Sequence, residues 1–219
     1  MEQNNQTQPP VFNQPQQQQQ PAALQYQPRV TARPMMGFWE AVKTCFKKYV
    51  NCKGRARRSE AWWYVLFIIL CTFVFFFVMS TVLGMLNFDP GVSTAIFLVC
   101  FFLLVIILII PQISVLVRRL HDTGRSGWWA GIFYLMSLIY NVAYIKLMWP
   151  LRDKMDITAG NYEAIMKLVT KTYAESPIAA SIVSFLGLPT FLLGLVIFVF
   201  TLLDSKWGEN KYGPSPKYQ

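Results

Sequence analysis

The sequence predicts an all-α membrane protein with four transmembrane helices and an N-terminal amphipathic interfacial helix. The chain has 219 residues, of which 54% are hydrophobic. Four long apolar runs hold almost no charge, since Lys146 is the only Asp, Glu, Lys, Arg or His within them. Basic residues are concentrated in alternate connections between the runs. These runs are residues 62–86, 92–117, 128–149 and 178–203.

Each run is long enough to cross a bilayer. A helix rises about 1.5 Å per residue and the hydrocarbon core is about 30 Å thick, so about 20 residues suffice. Lys146 lies near the end of its run, where its aliphatic stem lets the ammonium reach the interface. A β-barrel is not expected, because residues 97–110 are apolar on every face instead of alternating. One re-entrant run is the main alternative.

The distribution of charge predicts the orientation. Lys and Arg number nine in residues 1–61, three in 118–127 and three in 204–219. Residues 87–91 have none, and the four in 150–177 are balanced by four acidic side chains. The positive-inside rule therefore places both termini and the 118–127 connection in the cytoplasm. Because the net charge of +9 follows the membrane topology, nucleic acid is not expected as a partner.

Two segments precede the first run. Residues 1–34 are predicted to be a disordered Gln/Pro-rich cytoplasmic tail, because residues 1–28 contain eleven Gln and five Pro and bury too little apolar surface. The transmembrane domain is assigned to residues 35–216. Within it, residues 38–50 have an apolar stripe at helical spacing, backed by lysines. That helix fits the headgroup layer, or a position packed under the bundle.

Local signals predict how the runs begin, end and bend. Ser59 and Ser126 are expected to be the N-caps of the first and third spans. Residues 87–91 suit a tight turn, so the first two spans should form a hairpin. Pro111 should free a backbone carbonyl and bend the second span, and Gln112 beside it needs a polar partner.

The second half of the chain has weaker signals. The long connection 150–177 is predicted to contain a small helix on the outer surface, and Pro189 to bend the fourth span. Residues 204–214 contain glycines and a proline, which favour an ordered turn. The entries to the first and third spans are similar, so a duplication of two hairpins is conceivable.

No metal or cofactor is expected. The four cysteines are predicted to be free thiols, because those in the spans differ in depth and two others lie on the reducing side. The chain has one histidine and no Cys-x-x-Cys pair. His121 and Asp122 are adjacent in sequence, which does not aim one at the other, so a non-enzymatic protein is expected.

Three motifs carry a resemblance to a known family. They are residues 54–60, residues 118–129 and residues 210–214. The sequence resembles the YhaH-type bacterial inner-membrane proteins, a family of unknown function, over about residues 38–216. Ala61 departs from the family pattern, which has an aromatic residue there. The resemblance implies a bacterial inner membrane and a small helical bundle, and it supplies no activity or catalytic residue.

All three motifs lie at the predicted cytoplasmic ends of the spans, where they form a candidate site for anionic lipid headgroups. Arginine presents a planar fork that suits phosphate. In the structural interpretation, the same arginines cap helix ends and pair with Asp122 and Asp204. The candidates are Arg55, Arg57, Arg58, Arg118, Arg119, His121, Asp122, Arg125, Asp204 and Lys211.

Other partners and activities are weighed against lipid binding. A membrane-protein partner or a homo-oligomer would use the same basic face. A small transporter or channel is the alternative function, suggested by the helix-breaking or polar residues in the spans. The absence of carboxylates and histidines from the runs argues against a proton relay. The residues that favour transport are Pro111, Gln112, Asn141, Gly187 and Pro189.

Overall fold

The computed structural model describes residues 31–86, 88–151 and 162–218. Within these ranges the chain forms six α-helices and one short 3-10 helix, and strand pairing is limited to two isolated bridges. The 3-10 helix, Trp149–Leu151, continues α4. The α-helices are α1 (Phe38–Lys47), α2 (Arg58–Leu86), α3 (Pro90–Asp122), α4 (Trp128–Met148), α5 (Tyr162–Glu175) and α6 (Pro177–Leu202).

Helices α2, α3, α4 and α6 are long and apolar enough to span a membrane, which confirms the predicted fold class. They pack as two pairs, α2 with α3 and α4 with α6. In the second pair, Gly194 lets α6 approach the Phe133 ring of α4, a small-residue contact of the kind that joins helices in membranes. The pairs meet at one end, through a buried cluster of Leu116, Leu120, Ala130 and Ile197.

We call that end the basic end. It comprises the start of α2, the end of α3, the start of α4 and the end of α6. The term names a part of the protein and does not specify a side of the membrane. The side of the membrane that this end faces stays a prediction.

The structure corrects the predicted connection between the second and third spans. Residues 118–122 were expected to lie in a loop, but α3 continues through them to Asp122. With 33 residues, α3 is about 50 Å long and exceeds a hydrocarbon core of about 30 Å. The surplus can carry charges because other segments of the protein surround it. Gly124, at a φ of 79°, then ends the helix with a Schellman motif.

Both predicted serine N-caps are wrong. Helix α2 begins at Arg58, so Ser59 lies inside its first turn, where the Ser59 hydroxyl is buried without a partner among the described residues. The N-cap of α4 is Gly127. Ser126 precedes it, although its hydroxyl still accepts a hydrogen bond of 3.3 Å from the Trp128 N–H. Ser126 thus lies one residue before the N-cap of α4, and Ser59 is the second residue of α2.

Helix α1 and the turn after it are fastened to α3. Ala41, Val42 and Cys45 of α1 are buried, which favours the packed interpretation of this helix. The Tyr49 hydroxyl donates to the carbonyl of Ile107, which is the carbonyl that Pro111 leaves without an intrahelical donor. The carbonyl that Pro111 was expected to free is therefore that of Ile107, and the bend expected in this span stays a prediction. A position for α1 at the membrane surface stays a prediction.

The C-terminal segment folds back over the basic end as an ordered turn, as predicted. The Asn210 and Gly213 backbones pair across it, and Gly213 has a φ of 116° that suits glycine. Beyond it, Tyr218 forms an antiparallel bridge with Ala32. Ala32, near the start of the described residues, therefore lies beside Tyr218, at their end.

Some predictions fall partly outside the described residues. The predicted disordered tail, residues 1–34, is described only from residue 31. The 150–177 connection is described up to Leu151 and from Tyr162, and α5 confirms a helix there. The side of the membrane on which α5 lies stays a prediction. Cys45, Cys52, Cys71 and Cys100 are free, as predicted.

Candidate functional site

One buried carboxylate at the basic end joins two buried arginines. Asp122, the last residue of α3, accepts a hydrogen bond of 2.9 Å from Arg55 Nε at its Oδ1 atom. Its Oδ2 atom accepts from Arg119, one helical turn earlier on the same face. The side chains of Arg119 and Asp122 are fully buried, and that of Arg55 is 1% exposed. Two cations therefore share one carboxylate inside the protein.

Backbone carbonyls complete the hydrogen bonding of both arginines. Arg55 donates to the carbonyls of Gly208, Gly213 and Lys206 in the C-terminal segment. Arg119 donates to the carbonyls of Thr201 and Leu203 at the end of α6. The last carbonyls of a helix lack intrahelical donors and carry the negative end of its dipole, so they suit a guanidinium.

A second buried ion pair lies on the α1 side. Arg118 donates to Glu60 in the first turn of α2, and both side chains are almost fully buried. Two further nitrogens of Arg118, Nε and Nη2, have no partner among the described residues. Burial and the nearby Glu60 carboxylate raise the pKa of the Cys45 thiol to about 12. Cys45 is therefore a neutral, packed thiol and not a nucleophile.

The three sequence motifs interlock at this end. The His121 ring stacks on Tyr212 with 3.7 Å between the ring centroids and 6° between the planes. His121 Nδ1 lies 3.2 Å from the Gly54 carbonyl, and the His121 carbonyl accepts 3.0 Å from the Asn210 side chain. Each motif thus contacts the other two. His121, which belongs to the second motif, contacts both of the others.

The exposed charges surround this interior. Arg57 donates to the carbonyls of Arg33 and Pro34, at 2.8 and 2.7 Å. Arg58 donates to the Leu202 carbonyl and pairs with Asp204 at 3.1 Å.

Lys217 is the main partner of Asp204. Its ammonium donates to the Asp204 Oδ2 atom at 2.6 Å. The hydrogen bond from Lys217 lowers the pKa of the Asp204 carboxyl, and the same bond raises the pKa of Lys217. Among the described residues, Asp204 is the only carboxylate that pairs with Arg58, and Arg58 shares it with Lys217.

The remaining candidates make cation–π contacts. The Arg125 guanidinium lies 3.8 Å from the centroid of the Phe200 ring, and the Lys211 ammonium lies 5.0 Å from that of Tyr212. Arg125 thereby fastens the start of α4 to the end of α6. Lys211 is exposed, so its ammonium stays accessible to solvent.

Four of the predicted headgroup candidates lie in the interior of the basic end. Arg55, Arg118, Arg119 and Asp122 are buried and bound by groups of the protein itself. They follow the structural interpretation, in which arginines pair with acids and cap helix ends. The sequence pattern also missed the partners Glu60 and Lys217 and the carbonyls of the C-terminal segment.

A groove runs along α2 from the basic end. It has a volume of about 410 Å³. Its polar end holds the Arg58 side chain, which is 45% exposed, and the residue Ser59. Trp63 closes one side by donating its indole N–H to the Met36 carbonyl at 2.9 Å. The whole lining consists of Met35, Met36, Arg58, Ser59, Trp62, Trp63 and Leu66.

No group of three or more His, Cys, Asp or Glu side chains within the described ranges is arranged to hold a metal ion. What the basic end can do chemically follows from its remaining free groups. These are exposed ammonium and guanidinium groups, and a mixed polar and apolar groove beside one of them.

The chain is similar to known inner-membrane proteins. Residues 49–214 match a protein family described as "Protein of unknown function (DUF805)". The chain is 37% identical over 102 residues to "Inner membrane protein YhaH" of Escherichia coli strain K12, which covers 43% of this chain and 78% of that protein. It is 33% identical over 89 residues to "Inner membrane protein YhaI" of the same strain, covering 41% of this chain and 66% of that protein. No solved structure matches the chain.

Proposed function

The chain belongs to the DUF805 family of proteins of unknown function, and from this premise we propose that it binds an anionic phospholipid in the groove beside Arg58. In this proposal it is a non-enzymatic protein of the bacterial inner membrane, and its basic end faces the cytoplasm. Its relatives are named as inner-membrane proteins, and four of its helices are suited to span a bilayer. The family supplies no substrate, so the proposal depends on the groove.

The single observation that carries the proposal is the order of groups along the groove. A guanidinium lies at the basic end, indole rings follow, and Leu66 lies about 12 Å further along α2. Tryptophan favours the headgroup level of a bilayer. A phosphate beside Arg58 would therefore leave its acyl chain next to Trp62 and Leu66.

Two further features favour an anion at the polar end. The first turn of α2 has backbone N–H groups without intrahelical acceptors, and the helix dipole places partial positive charge there. The Ser59 hydroxyl, buried without a partner among the described residues, can donate to a phosphate oxygen after a small rotation. Arg58 keeps its Nε group in addition to the nitrogens that contact α6 and Asp204.

The surrounding charge supports the same ligand. Each basic residue near an anionic membrane surface contributes about 1 kcal/mol to binding. Only two acidic side chains are exposed on the C-terminal segment, Asp204 and Glu209. The cations at least partly exposed around the basic end include Arg33, Lys53, Arg57, Arg58, Arg125, Lys206, Lys211 and Lys217.

The test compares lipid binding by the wild type and by an Arg58→Gln variant. Purified full-length protein is titrated with phosphatidylglycerol or phosphatidylcholine, and bound lipid is counted by native mass spectrometry. Loss of one contact of about 1 kcal/mol should weaken phosphatidylglycerol binding about fivefold. Binding of the zwitterionic lipid should weaken less, because the choline ammonium already offsets the charge of its phosphate.

Lys211→Gln is the matched control, since it removes an exposed cation of the basic end that does not line the groove. The proposal fails if Arg58→Gln and Lys211→Gln weaken binding equally, or if the wild type does not distinguish the two lipids. If the wild type binds neither lipid and runs as a stable oligomer, the basic end is an assembly surface instead. A small transporter or channel stays the alternative hypothesis.

A further inference from the structure

Two adjoining cavities lie among the spanning helices, further from the basic end than the buried arginines. One, of about 290 Å³, lies mainly between α2 and α3. The other, of about 260 Å³, is bounded by all four spanning helices. Gln112 and Tyr134 line both cavities. Together the cavities follow α2 from Ala61 to Thr72, a distance of about 16 Å.

The lining is largely apolar, and the polar side chains that line only one cavity are Thr72 in the first and Trp62 and Thr201 in the second. Neither cavity is lined by an Asp, Glu, Lys, Arg or His among the described residues. The Thr201 hydroxyl already donates to the Phe198 carbonyl of its own helix, at 2.7 Å. Gln112 and Tyr134 are the residues common to both linings, so they lie where the cavities meet.

The amide of Gln112 is incompletely hydrogen-bonded. Its Oε1 atom is buried and has no partner among the described residues. An unpaired polar group in an apolar setting costs about 1 to 3 kcal/mol, and in a bilayer water does not replace the missing bond. The sequence indicated that Gln112 needs a partner in a neighbouring helix. The described structure provides a cavity at this place instead.

We propose that these cavities bind a neutral lipid alcohol, a long hydrocarbon chain that ends in an uncharged hydroxyl group. The hydroxyl lies between Gln112 Oε1 and the Tyr134 phenol, and the chain occupies the apolar space toward Phe101 or toward Phe198. A hydroxyl fits because it can donate to one of these groups and accept from the other. A charged headgroup does not fit, because no counterion lines the cavities and desolvation of an ion is costly.

This ligand differs from the anionic phospholipid proposed for the groove. The groove has a guanidinium at its polar end and lies on the outside of α2, whereas these cavities lie among the spanning helices and are lined by no ionised group of the described residues. Trp62 lines both the groove and one cavity, but the proposals depend on different polar groups, Arg58 in the groove and Gln112 with Tyr134 in the cavities. Each proposal can therefore fail without the other.

The experiment compares oleyl alcohol with its methyl ether, which has the same chain and no hydroxyl donor. Both are titrated against the purified full-length protein, with thermal stabilisation and native mass spectrometry as readouts. The wild type should bind the alcohol about tenfold more tightly than the ether, the effect of one hydrogen bond of about 1.4 kcal/mol. The Gln112→Leu variant should bind the two with equal affinity.

Asn141→Leu is the matched control, because it removes another amide from a spanning helix, outside both cavities. It should keep the preference for the alcohol. Gln112→Leu should fold at least as stably as the wild type without ligand, since it removes an unpaired buried acceptor. Tyr134→Phe keeps the ring and removes the phenol hydroxyl. It should therefore reduce the affinity for the alcohol, which gives a second measure of the contact with the ligand hydroxyl.

The inference is overturned if the wild type binds alcohol and ether equally, or if Gln112→Leu keeps the preference. Dioleoylglycerol and an isoprenoid alcohol, tested in the same way, identify the source of the hydroxyl. Phosphatidylglycerol binding should be unchanged in Gln112→Leu, which separates this result from that of the groove.

Discussion

At the scale of single residues, Asp122 has the largest consequences for stability. It is the carboxylate shared by Arg55 and Arg119, and all three side chains are almost fully buried. The excess positive charge is offset by carbonyls at the end of α6 and in the C-terminal segment. Removing one member of a buried ion pair is costly because the remaining charge stays in a region of low dielectric constant. Exposed ion pairs are worth much less, because water screens them.

Replacing Asp122 should therefore destabilise the protein far more than replacing Asp204. Asp122→Asn leaves two buried guanidinium groups without a carboxylate, and we expect a loss of roughly 3 to 5 kcal/mol. Asp204→Asn is the control with the same chemical change, and its exposed pairs should account for about 1 kcal/mol or less. Thermal unfolding in detergent measures both. Equal midpoints for the two variants would contradict the assignment of Asp122 to the interior.

At the scale of helices, α3 is the element to which the N-terminal part of the domain is fastened. Pro111 cannot donate to the Ile107 carbonyl, and the Tyr49 hydroxyl donates to it at 2.9 Å. Ser114, one turn further along α3, donates to the carbonyls of Lys48 and Asn51 at 2.9 and 2.8 Å. The carbonyl that Pro111 leaves unpaired in α3 thus accepts a hydrogen bond from the turn that follows α1.

A double-mutant cycle on Tyr49 and Pro111 should show this coupling. Tyr49→Phe leaves the Ile107 carbonyl unpaired and should cost about 1 to 3 kcal/mol. In a Pro111→Ala background the alanine N–H can donate to that carbonyl, so the same change should cost much less. Unfolding midpoints of the four proteins give the coupling energy. Additive effects would show that the hydroxyl does not satisfy the carbonyl that the proline frees.

At the scale of the whole molecule, the basic end determines how the protein is expected to lie in the membrane. The three motifs, the buried arginines and the groove all belong to this end of the bundle. The positive-inside rule predicts that it faces the cytoplasm. Helix α5 follows α4 at the opposite end of that span, so it is expected on the other side.

Cysteine labelling tests this orientation. Glu163→Cys on α5 and Glu209→Cys on the C-terminal segment place thiols at exposed positions. Both variants also carry Cys52→Ser, which removes the partly exposed native thiol outside the helices. In spheroplasts an impermeant maleimide should react only with the Glu163→Cys variant. After solubilisation both variants should react, which controls for accessibility. Reaction of both in intact spheroplasts would disprove the predicted topology.

The sequence determined the number and approximate limits of the spans, because crossing a bilayer demands long apolar runs whatever the neighbouring helices do. It also indicated that Pro111 frees a carbonyl and that charged motifs gather at the ends of the spans. Only the tertiary structure decided that Arg118 and Arg119 belong to a helix and are buried. Their burial depends on Asp122 nearby, on Glu60, which is 58 residues from Arg118, and on the Leu203 carbonyl, which is 84 residues from Arg119. A local pattern does not contain such distant partners, so an arginine that folding buries and one that it leaves exposed look the same in the sequence.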